Sequence, residues 1–253
     1  VPLGIAAMTI QSQRDLDGMR AVGKLVGQGL REMREKAAPG MTTAELDDIG
    51  ARFLRKRGAR SAPQLTYNFP GFSCISVNDE IVHGVPGDRM LEPGDVLKID
   101  VTAELDGYIA DSANTVVIPP VSTEAHNLTE SAKAAFKRAM KVAVAGTRIA
   151  ELGREVEIEV RRWGHSVIRE MCGHGVGRAL HEEPSVPNFY SPFTPGKLAD
   201  GLVIALEPII AESPTRVVED EDGWTIRTAS GCLAAHYEHT ILIRGGHAEI
   251  LTA

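Results

Sequence analysis

The sequence predicts a mixed α/β (α+β) protein built from two similar halves that face one cleft. Three observations support this: amphipathic helices precede apolar strands, a residue spacing recurs about 106 positions later, and both halves carry carboxylates on their strands. The 253 residues are enough for one large domain with a sizeable core. We therefore expect a single domain over residues 1–253, with halves at about 14–120 and 126–251.

Composition and charge exclude several classes of protein. Hydrophobic residues make up 43% of the chain and charged residues 24%, as in ordinary globular proteins. The net charge of −7 argues against a general nucleic-acid-binding surface. The longest apolar stretch, 202–210, contains Glu207 and is too short to cross a membrane. Three widely spaced cysteines without a CxxC pair favour a reducing cytoplasm over a disulfide framework.

We expect no signal peptide in the first residues, because they lack a basic start and a longer apolar region. We expect Met8 to be the native start and residues 1–7 to be a remnant of cloning. Mass spectrometry of the native protein tests this.

Two helices open the chain. Apolar residues recur every three or four positions over residues 14–36, which predicts an amphipathic helix, and Pro39 and Gly40 end it. Thr42 and Glu45 have the spacing of a capping box, so a second helix should start there and end at Gly58.

The same design returns later in the chain. A constant offset of 106 relates Gly40, Ala44, Glu45, Leu46, Arg55 and Gly58 to Gly146, Ala150, Glu151, Leu152, Arg161 and Gly164. A helix precedes each copy, at 14–36 and 130–144. A glycine also stands six residues before a carboxylate on an apolar strand in both halves, at Asp100 and Glu207. Helix–strand proteins can resemble themselves by chance, but the agreement in spacing and order favours an internal duplication.

A first carboxylate pair belongs to a hairpin. An apolar strand covers 96–102, and Asp106–Gly107 is a strong two-residue turn signal. This turn sets Asp100 opposite Ala113, which makes Asp111 its diagonal neighbour on the same face of the sheet. Two such carboxylates repel unless a cation or a proton lies between them. Either could instead be a solvated surface residue, but Asp is disfavoured inside strands.

Histidine and glutamate residues further along complete the pattern. His174 lies in the glycine-rich segment 172–177, which we expect to be a loop, and His181 follows seven residues later. The segment lacks the ending of a phosphate-binding loop and the spacing of a dinucleotide site. Glu207 and Glu238 adjoin apolar strands, where a carboxylate is costly unless it is paired or bound to a metal.

These side chains form an oxygen-rich ligand set with one nitrogen. Its members are Asp100, Asp111, His174, Glu207 and Glu238. The set suits Mn²⁺, Fe²⁺, Co²⁺ or Zn²⁺. Four carboxylates exceed what one ion needs, whereas two ions about 3.5–4 Å apart would use them all.

Five ordered motifs carry a family resemblance. They occupy 78–86, 99–111, 173–184, 206–208 and 238–240. Together they resemble the methionine aminopeptidases of the bacterial type, from about residue 14 to 251. The resemblance implies the pita-bread fold, with two pseudo-symmetric halves around a central antiparallel sheet and a centre of two divalent metal ions.

The resemblance also implies a role for each of the five metal ligands. Asp111 and Glu238 would bridge the ions, His174 and Glu207 would complete one, and Asp100 the other. A metal-bridging water or hydroxide would attack the scissile carbonyl, which belongs to the initiator methionine, and Glu207 would accept its proton.

Further residues are assigned to the substrate by the same resemblance. His181 would contact the scissile amide, and His83 would lie beside the N-terminal residue and assist proton transfer. The methionine pocket would be lined by Phe69, Cys74, His83 and Trp224. The two aromatic residues could instead be ordinary core or rim residues. The chain departs from many relatives in segment 62–69 and at His236, where glutamine is common.

The expected substrate is the N-terminus of a peptide or nascent chain with a small second residue. We expect a cytoplasmic monomer in transient contact with the ribosome, without membrane or specific nucleic-acid binding. One alternative is a proline-directed aminopeptidase P or prolidase, but these carry a further N-terminal domain and only about 80 residues precede His83. A non-enzymatic binding protein should have lost ligands, and a mononuclear iron oxygenase would leave three carboxylates unexplained.

Overall fold

The computed structural model describes residues 7–253, which contain five helices. They are α1 (Gln13–Lys36), α2 (Thr43–Arg55), α3 (Ala62–Tyr67), α4 (Thr123–Met140) and α5 (Ile149–Arg162). None of the helices in this range combines the length and apolar character that a membrane span requires. The expected cloning remnant at 1–7 lies outside the described residues, apart from Ala7.

The first two helices form as their sequence signals indicate. The Ser12 side chain caps α1 by accepting a hydrogen bond from the backbone of Asp15. At α2, Thr42 and Glu45 make both hydrogen bonds of the predicted capping box. This helix ends at Arg55, and Gly58 lies three residues further on with a φ of 84°, which glycine adopts without strain.

Helix α4 differs from the expected range of 130–144, because it begins at Thr123 and ends at Met140. The hydroxyl of Ser122 accepts a hydrogen bond from the backbone of Ala125 and caps the helix. Ala125 and Leu128 already belong to its buried face. The prediction was wrong because small alanines supply much of this face and give a weaker periodic signal than larger side chains.

The described chain also contains fifteen strands, and every pairing between them is antiparallel. They are β1 (Arg60–Ser61), β2 (Cys74–Val77), β3 (Glu80–Val82), β4 (Val96–Leu105), β5 (Tyr108–Val117), β6 (Ser166–Val167), β7 (Cys172–Gly175), β8 (Glu182–Pro187), β9 (Val203–Leu206), β10 (Ile209–Ala211), β11 (Val217–Glu219), β12 (Ile226–Thr228), β13 (Ala234–His236), β14 (His239–Ile243) and β15 (Ala248–Ile250). In one large sheet β5 pairs along one edge of β4, and β2 and β1 pair with successive parts of its other edge. The other large sheet has the order β15-β14-β9-β7-β8. Two smaller sheets have the orders β13-β10-β6 and β11-β12-β3.

Hydrogen bonds join β5 of one large sheet to the chain around β14 of the other. The Thr240 hydroxyl accepts from the Asp111 backbone N–H and donates to the Asp111 carbonyl, both at 2.8 Å. The Glu238 backbone N–H donates to the Ala113 carbonyl at 2.9 Å, and the Ser112 hydroxyl donates to the Glu238 carbonyl. Asp111 and Glu238, which are distant in sequence, are therefore held at one joint.

Each large sheet has its own helical cover. Helices α1 and α2 pack together, and α1 lies against β4 and β5. Helices α4 and α5 form the second pair, with α5 against β8 and α4 against β10 and β13. Burying the apolar helix faces stabilises both layers, and it leaves the polar joint between the sheets as the place where charged side chains gather.

Corresponding positions of the two halves have the same backbone geometry. Gly40 and Gly146 have φ angles of 84° and 91°. The N–H of Gly40 donates to the Leu91 carbonyl, and that of Gly146 to the Leu198 carbonyl, both at 2.8 Å. Each glycine precedes the second helix of its half, so the spacing found in the sequence corresponds to a recurring turn.

Candidate metal centre

A cavity of about 480 Å³ opens at the joint between the two large sheets. All five residues expected to bind metal line it, namely Asp100, Asp111, His174, Glu207 and Glu238. The expected substrate-contacting residues line the same cavity: Phe69, Cys74, His83, His181 and Trp224. The structure thus brings together residues that span most of the chain.

The β4–β5 hairpin has the predicted register. Asp100 lies opposite Ala113 and Thr102 lies opposite Asp111, so the two aspartates are diagonal neighbours on one face. The Thr102 hydroxyl donates a hydrogen bond to Oδ1 of Asp111 at 2.7 Å. This bond fixes the Asp111 carboxylate and leaves its other oxygen for a further partner.

His174 lies on a strand, and the expected glycine-rich loop was wrong. Its strand, β7, runs between β8 and β9. A Cβ atom at Gly173 would collide with the carbonyl oxygen of Ala205, and one at Gly175 would collide with that of Glu183. The glycines are needed because neighbouring backbones approach closely, which is a requirement of the strand and does not indicate a loop.

A hydrogen bond made by His174 determines which of its two ring nitrogens carries the proton. Its Nδ1 lies 2.9 Å from the carbonyl oxygen of Gly175. A carbonyl can only accept, so Nδ1 carries the proton and Nε2 keeps its lone pair. Nε2 lies 3.3 Å from Oε1 of Glu207. This is the tautomer that a metal-binding histidine requires.

Both glutamates lie at the ends of buried strands. Glu207 directly follows β9, and Glu238 directly precedes β14. Their side chains are almost inaccessible to solvent, with exposed fractions of 7% and 1%. The Asn188 side-chain amide donates to the Glu207 carbonyl at 2.9 Å and so fixes the chain at that point.

Two overlapping groups of side chains could each hold a cation. Asp111, His174 and Glu238 form the first, and Asp100, His236 and Glu238 form the second. Within each group the candidate ligand atoms lie within 4.8 Å of one another. His236 is the member that the sequence analysis did not name as a candidate ligand. It stands two residues before Glu238, the spacing that puts side chains of an extended chain on the same side.

The electrostatics of the cavity favour a bound cation. Burial raises the pKa of Asp100, Glu207 and Glu238 well above the usual range, and the nearby carboxylate of Asp111 raises each further. Burial also raises the pKa of Asp111 itself. Within the described residues, Oδ1 of Asp100 and Oε1 of Glu238 have no hydrogen-bond partner. Buried, unpartnered carboxylates are costly, so these residues fit a site for divalent metal.

His181 and His83 lie beside this cluster. The ring of His181 is 4.3 Å from that of His174, centroid to centroid, and its Nδ1 is 2.6 Å from the Tyr67 hydroxyl. Burial, reinforced by the neighbouring His174, lowers the pKa of His181 to about 3, so its ring is neutral at physiological pH. His83 follows β3 with a φ of 58°, an uncommon conformation that is enriched at functional sites.

An apolar slot adjoins the polar cluster. The Phe69 and Trp224 rings meet edge to face, 5.2 Å apart at 87°. Cys74 lies on β2 opposite Asp100, and burial raises the pKa of its thiol. Tyr67 also lines the cavity, from the short helix α3, which the sequence analysis did not predict. The sequence does contain a signal for this helix, because Ser61 can cap it and Pro63 lies in its first turn.

The chain is similar to known metallopeptidases over most of its length. The model of metallopeptidase family M24 matches residues 17–245. The chain is 41% identical to methionine aminopeptidase 2 of Bacillus subtilis, over 97% of this chain and 99% of that protein. A crystal structure of methionine aminopeptidase from Thermotoga maritima matches with a TM-score of 0.93 and 35% identity, over 97% and 99% of the two chains.

The fold extends to more distant proteins. Prolidase from Pyrococcus furiosus matches with a TM-score of 0.79 at 21% identity, over 97% of this chain and 65% of the prolidase. At that identity the match shows the fold alone, which is the pita-bread fold expected from the sequence. The chain belongs to metallopeptidase family M24, among its methionine aminopeptidases.

Proposed function

We propose that this enzyme removes the N-terminal methionine from peptides and nascent proteins, with a preference for a small second residue. The observation that carries the proposal is the pair of ligand groups sharing Glu238 beside the apolar slot of Phe69 and Trp224. A thioether side chain suits such a slot, because it is apolar and adapts to irregular space. The carboxylates line the same cavity as the slot, so a bond cleaved at the metal centre would lie beside the bound side chain.

In this proposal five residues would hold two divalent ions, of Mn²⁺, Fe²⁺, Co²⁺ or Zn²⁺. Asp111 and Glu238 would be shared, His174 and Glu207 would complete one site, and Asp100 would belong to the other. The support is the 3.3 Å approach of His174 to Glu207 and the unpartnered oxygens of Asp100 and Glu238. Ions bound there would supply Lewis acidity to the scissile carbonyl and to an attacking water.

Two side chains would take part in proton transfer and hydrogen bonding during the reaction. Glu207 would accept a proton from the attacking water through its carboxylate, which lines the cavity 3.3 Å from Nε2 of His174. His181 is neutral and its Nδ1 faces the Tyr67 hydroxyl. Its Nε2 can therefore carry the hydrogen that is donated to the oxygen of the tetrahedral intermediate.

His83 and the slot select the N-terminal residue. His83 lies on the cavity wall with Phe69, Cys74 and Trp224. We assign to it the contact with the substrate's first residue and assistance in proton transfer. The free α-amine would lie near the carboxylates, which would explain why the enzyme acts at chain ends.

We also propose a domain organisation, a cellular compartment and an oligomeric state for this enzyme. We take the described residues as one catalytic domain, because the ligands come from both halves. Cys74, Cys172 and Cys232 are free thiols, which suits a reducing cytoplasm. A monomer acting on nascent chains, with transient ribosome contact, is the arrangement we propose.

Methionine release from Met-Ala-Ser tests the function. Chelator-stripped protein should be inactive, should regain activity with Mn²⁺ or Co²⁺, and should lose it in His174→Ala. Met-Lys and Met-Leu peptides should be poor substrates. Alanine release from Ala-Pro-Ala would instead move the chain to proline-directed cleavage, and inactivity with every metal and peptide would refute the proposal.

A further inference from the structure

His236 occupies a buried position with no role in the proposed reaction. Its side chain lies at the end of β13 and is only 2% exposed. Two hydrogen bonds to β5 fix its backbone: its N–H donates to the Thr115 hydroxyl at 2.9 Å, and that hydroxyl donates to its carbonyl at 2.8 Å. These bonds fix the backbone position from which the imidazole reaches the cavity wall.

The Nε2 atom of His236 points at the carboxylates. It lies 3.4 Å from Oε2 of Glu238 and 3.5 Å from Oε2 of Glu207. Among the described residues this nitrogen has no hydrogen-bond partner, and neither do Oδ1 of Asp100 and Oε1 of Glu238. Buried polar atoms without partners are rare, so several in one small region indicate a missing common partner.

A divalent cation is the partner that satisfies all of them. Ligand atoms of Asp100, His236 and Glu238 lie within 4.8 Å of one another, close enough to converge on one ion. We infer that His236 is a sixth ligand of the metal centre and binds, through Nε2, the ion held by Asp100 and Glu238. This inference rests on the proposed metal centre and adds a ligand to it.

The extra nitrogen would change the metal preference of the site. Without His236, the ion at Asp100 would have only carboxylate oxygens from the protein, which suit Mn²⁺. With it, each ion has one imidazole, His174 on one side and His236 on the other. Imidazole favours Co²⁺, Fe²⁺ and Zn²⁺ over Mn²⁺, so the two sites become more alike.

Metal titration of the full-length protein tests the inference independently of activity. We would titrate chelator-stripped protein with Co²⁺ and with Mn²⁺ by calorimetry, and record the visible absorption and X-ray absorption of the Co²⁺ form. His236→Gln keeps a neutral polar side chain. It should lower the affinity for the second Co²⁺ by at least about tenfold, because even partners outside the ligand shell cost that much. The loss for Mn²⁺ should be smaller.

Spectroscopy separates a direct ligand from an indirect one. In His236→Gln the imidazole scattering per Co²⁺ should fall by about half at full loading, since one of two ligating imidazoles is lost. His236→Ala should behave in the same way, and added free imidazole should restore its spectrum. The matched control is His126→Gln, which changes an exposed histidine of α4 and should leave both titrations unchanged.

The outcomes distinguish this inference from the proposed function. If the wild-type protein binds neither ion, the metal centre itself is refuted. If the wild-type protein binds two ions and His236→Gln binds both with unchanged affinity and scattering, only the role of His236 is refuted. Weaker binding with unchanged imidazole scattering would also overturn it, because His236 would then act by orienting Glu207.

Discussion

The hydroxyl oxygen of Tyr67 lies 2.6 Å from Nδ1 of His181, and this contact links α3 to the reacting end of the cavity. Burial raises the pKa of Tyr67, so its hydroxyl stays protonated and can donate to Nδ1. We take the hydroxyl as the donor in this hydrogen bond, which leaves the ring proton on Nε2 of His181. In this arrangement we assign Tyr67 as a positioning residue, because it would set the tautomer and the orientation of the His181 ring, which we propose contacts substrate.

Tyr67→Phe should therefore lower kcat with little change in KM for a Met-Ala peptide. The loss should be about tenfold, the equivalent of one hydrogen bond to a group used in the transition state. The measurement is steady-state kinetics with Tyr67→Phe, His181→Ala and the double variant. A further tenfold loss from Tyr67→Phe in the His181→Ala background would contradict the positioning role.

Metal should stabilise the fold as well as activate the enzyme. The buried carboxylates repel one another, and a cation bound only by the folded state relieves that repulsion. Adding Mn²⁺ or Co²⁺ at one hundred times its dissociation constant should raise the free energy of unfolding by about 2.7 kcal/mol. Thermal unfolding with increasing metal measures this shift.

The control for this prediction is Asp111→Asn, which removes a shared carboxylate charge and keeps the shape. Its unfolding temperature should respond much less to either metal. An equal response would mean that the ions act elsewhere on the protein surface.

The stability of the joint between the two large sheets should depend on the hydroxyl of Thr240. Thr240 is fully buried, and its Oγ1 bonds to both the N–H and the carbonyl of Asp111 at 2.8 Å. Thr240→Val keeps the volume and leaves both backbone groups unpaired, so it should lower the free energy of unfolding by about 1–3 kcal/mol. Denaturant unfolding of the chelator-stripped protein measures this cost.

Thr240→Ser is the matched variant, because it keeps the hydroxyl and loses only a methyl group. It should keep most of the stability and the metal affinity that Thr240→Val loses. Equal losses in the two variants would show that packing of the methyl group, and not the clamp on Asp111, holds the joint.

Local signals predicted some of this structure well, and the hairpin shows why. Asp106 and Gly107 have φ angles of 52° and 81°, as a tight two-residue turn requires. Such a turn leaves a single register, so the relation of Asp100 to Asp111 followed from the sequence. The capping box at Thr42 was equally local and equally predictable.

Features that depend on distant chain segments were not predictable in the same way. The glycines beside His174 look like a loop until Ala205 and Glu183 are known to lie against them. From the sequence, His236 is only a histidine at a position where glutamine is common. Its closeness to Glu207 depends on the pairing of β10 with β13, which the local sequence does not reveal. Both cases arise from tertiary contacts, which leave little trace in the nearby sequence.

Because β8 approaches β7 closely, we expect that no side chain fits at Gly175. A Cβ atom at Gly175 would collide with the Glu183 carbonyl oxygen and lie 2.7 Å from its carbon. Gly175→Ala must push the strands apart, which should cost about 1–3 kcal/mol of stability. The shift also moves the Gly175 carbonyl, which accepts from Nδ1 of His174, so metal affinity should fall too.

Denaturant unfolding and metal calorimetry check both effects in Gly175→Ala, with Gly245→Ala as the control. An added Cβ at Gly245 meets none of the described atoms within 4 Å, so this variant should match the wild-type protein. Loss of stability with intact metal affinity would mean that His174 keeps its orientation without the Gly175 carbonyl. In that case the Nδ1 hydrogen bond would not be what prepares Nε2 to bind the ion.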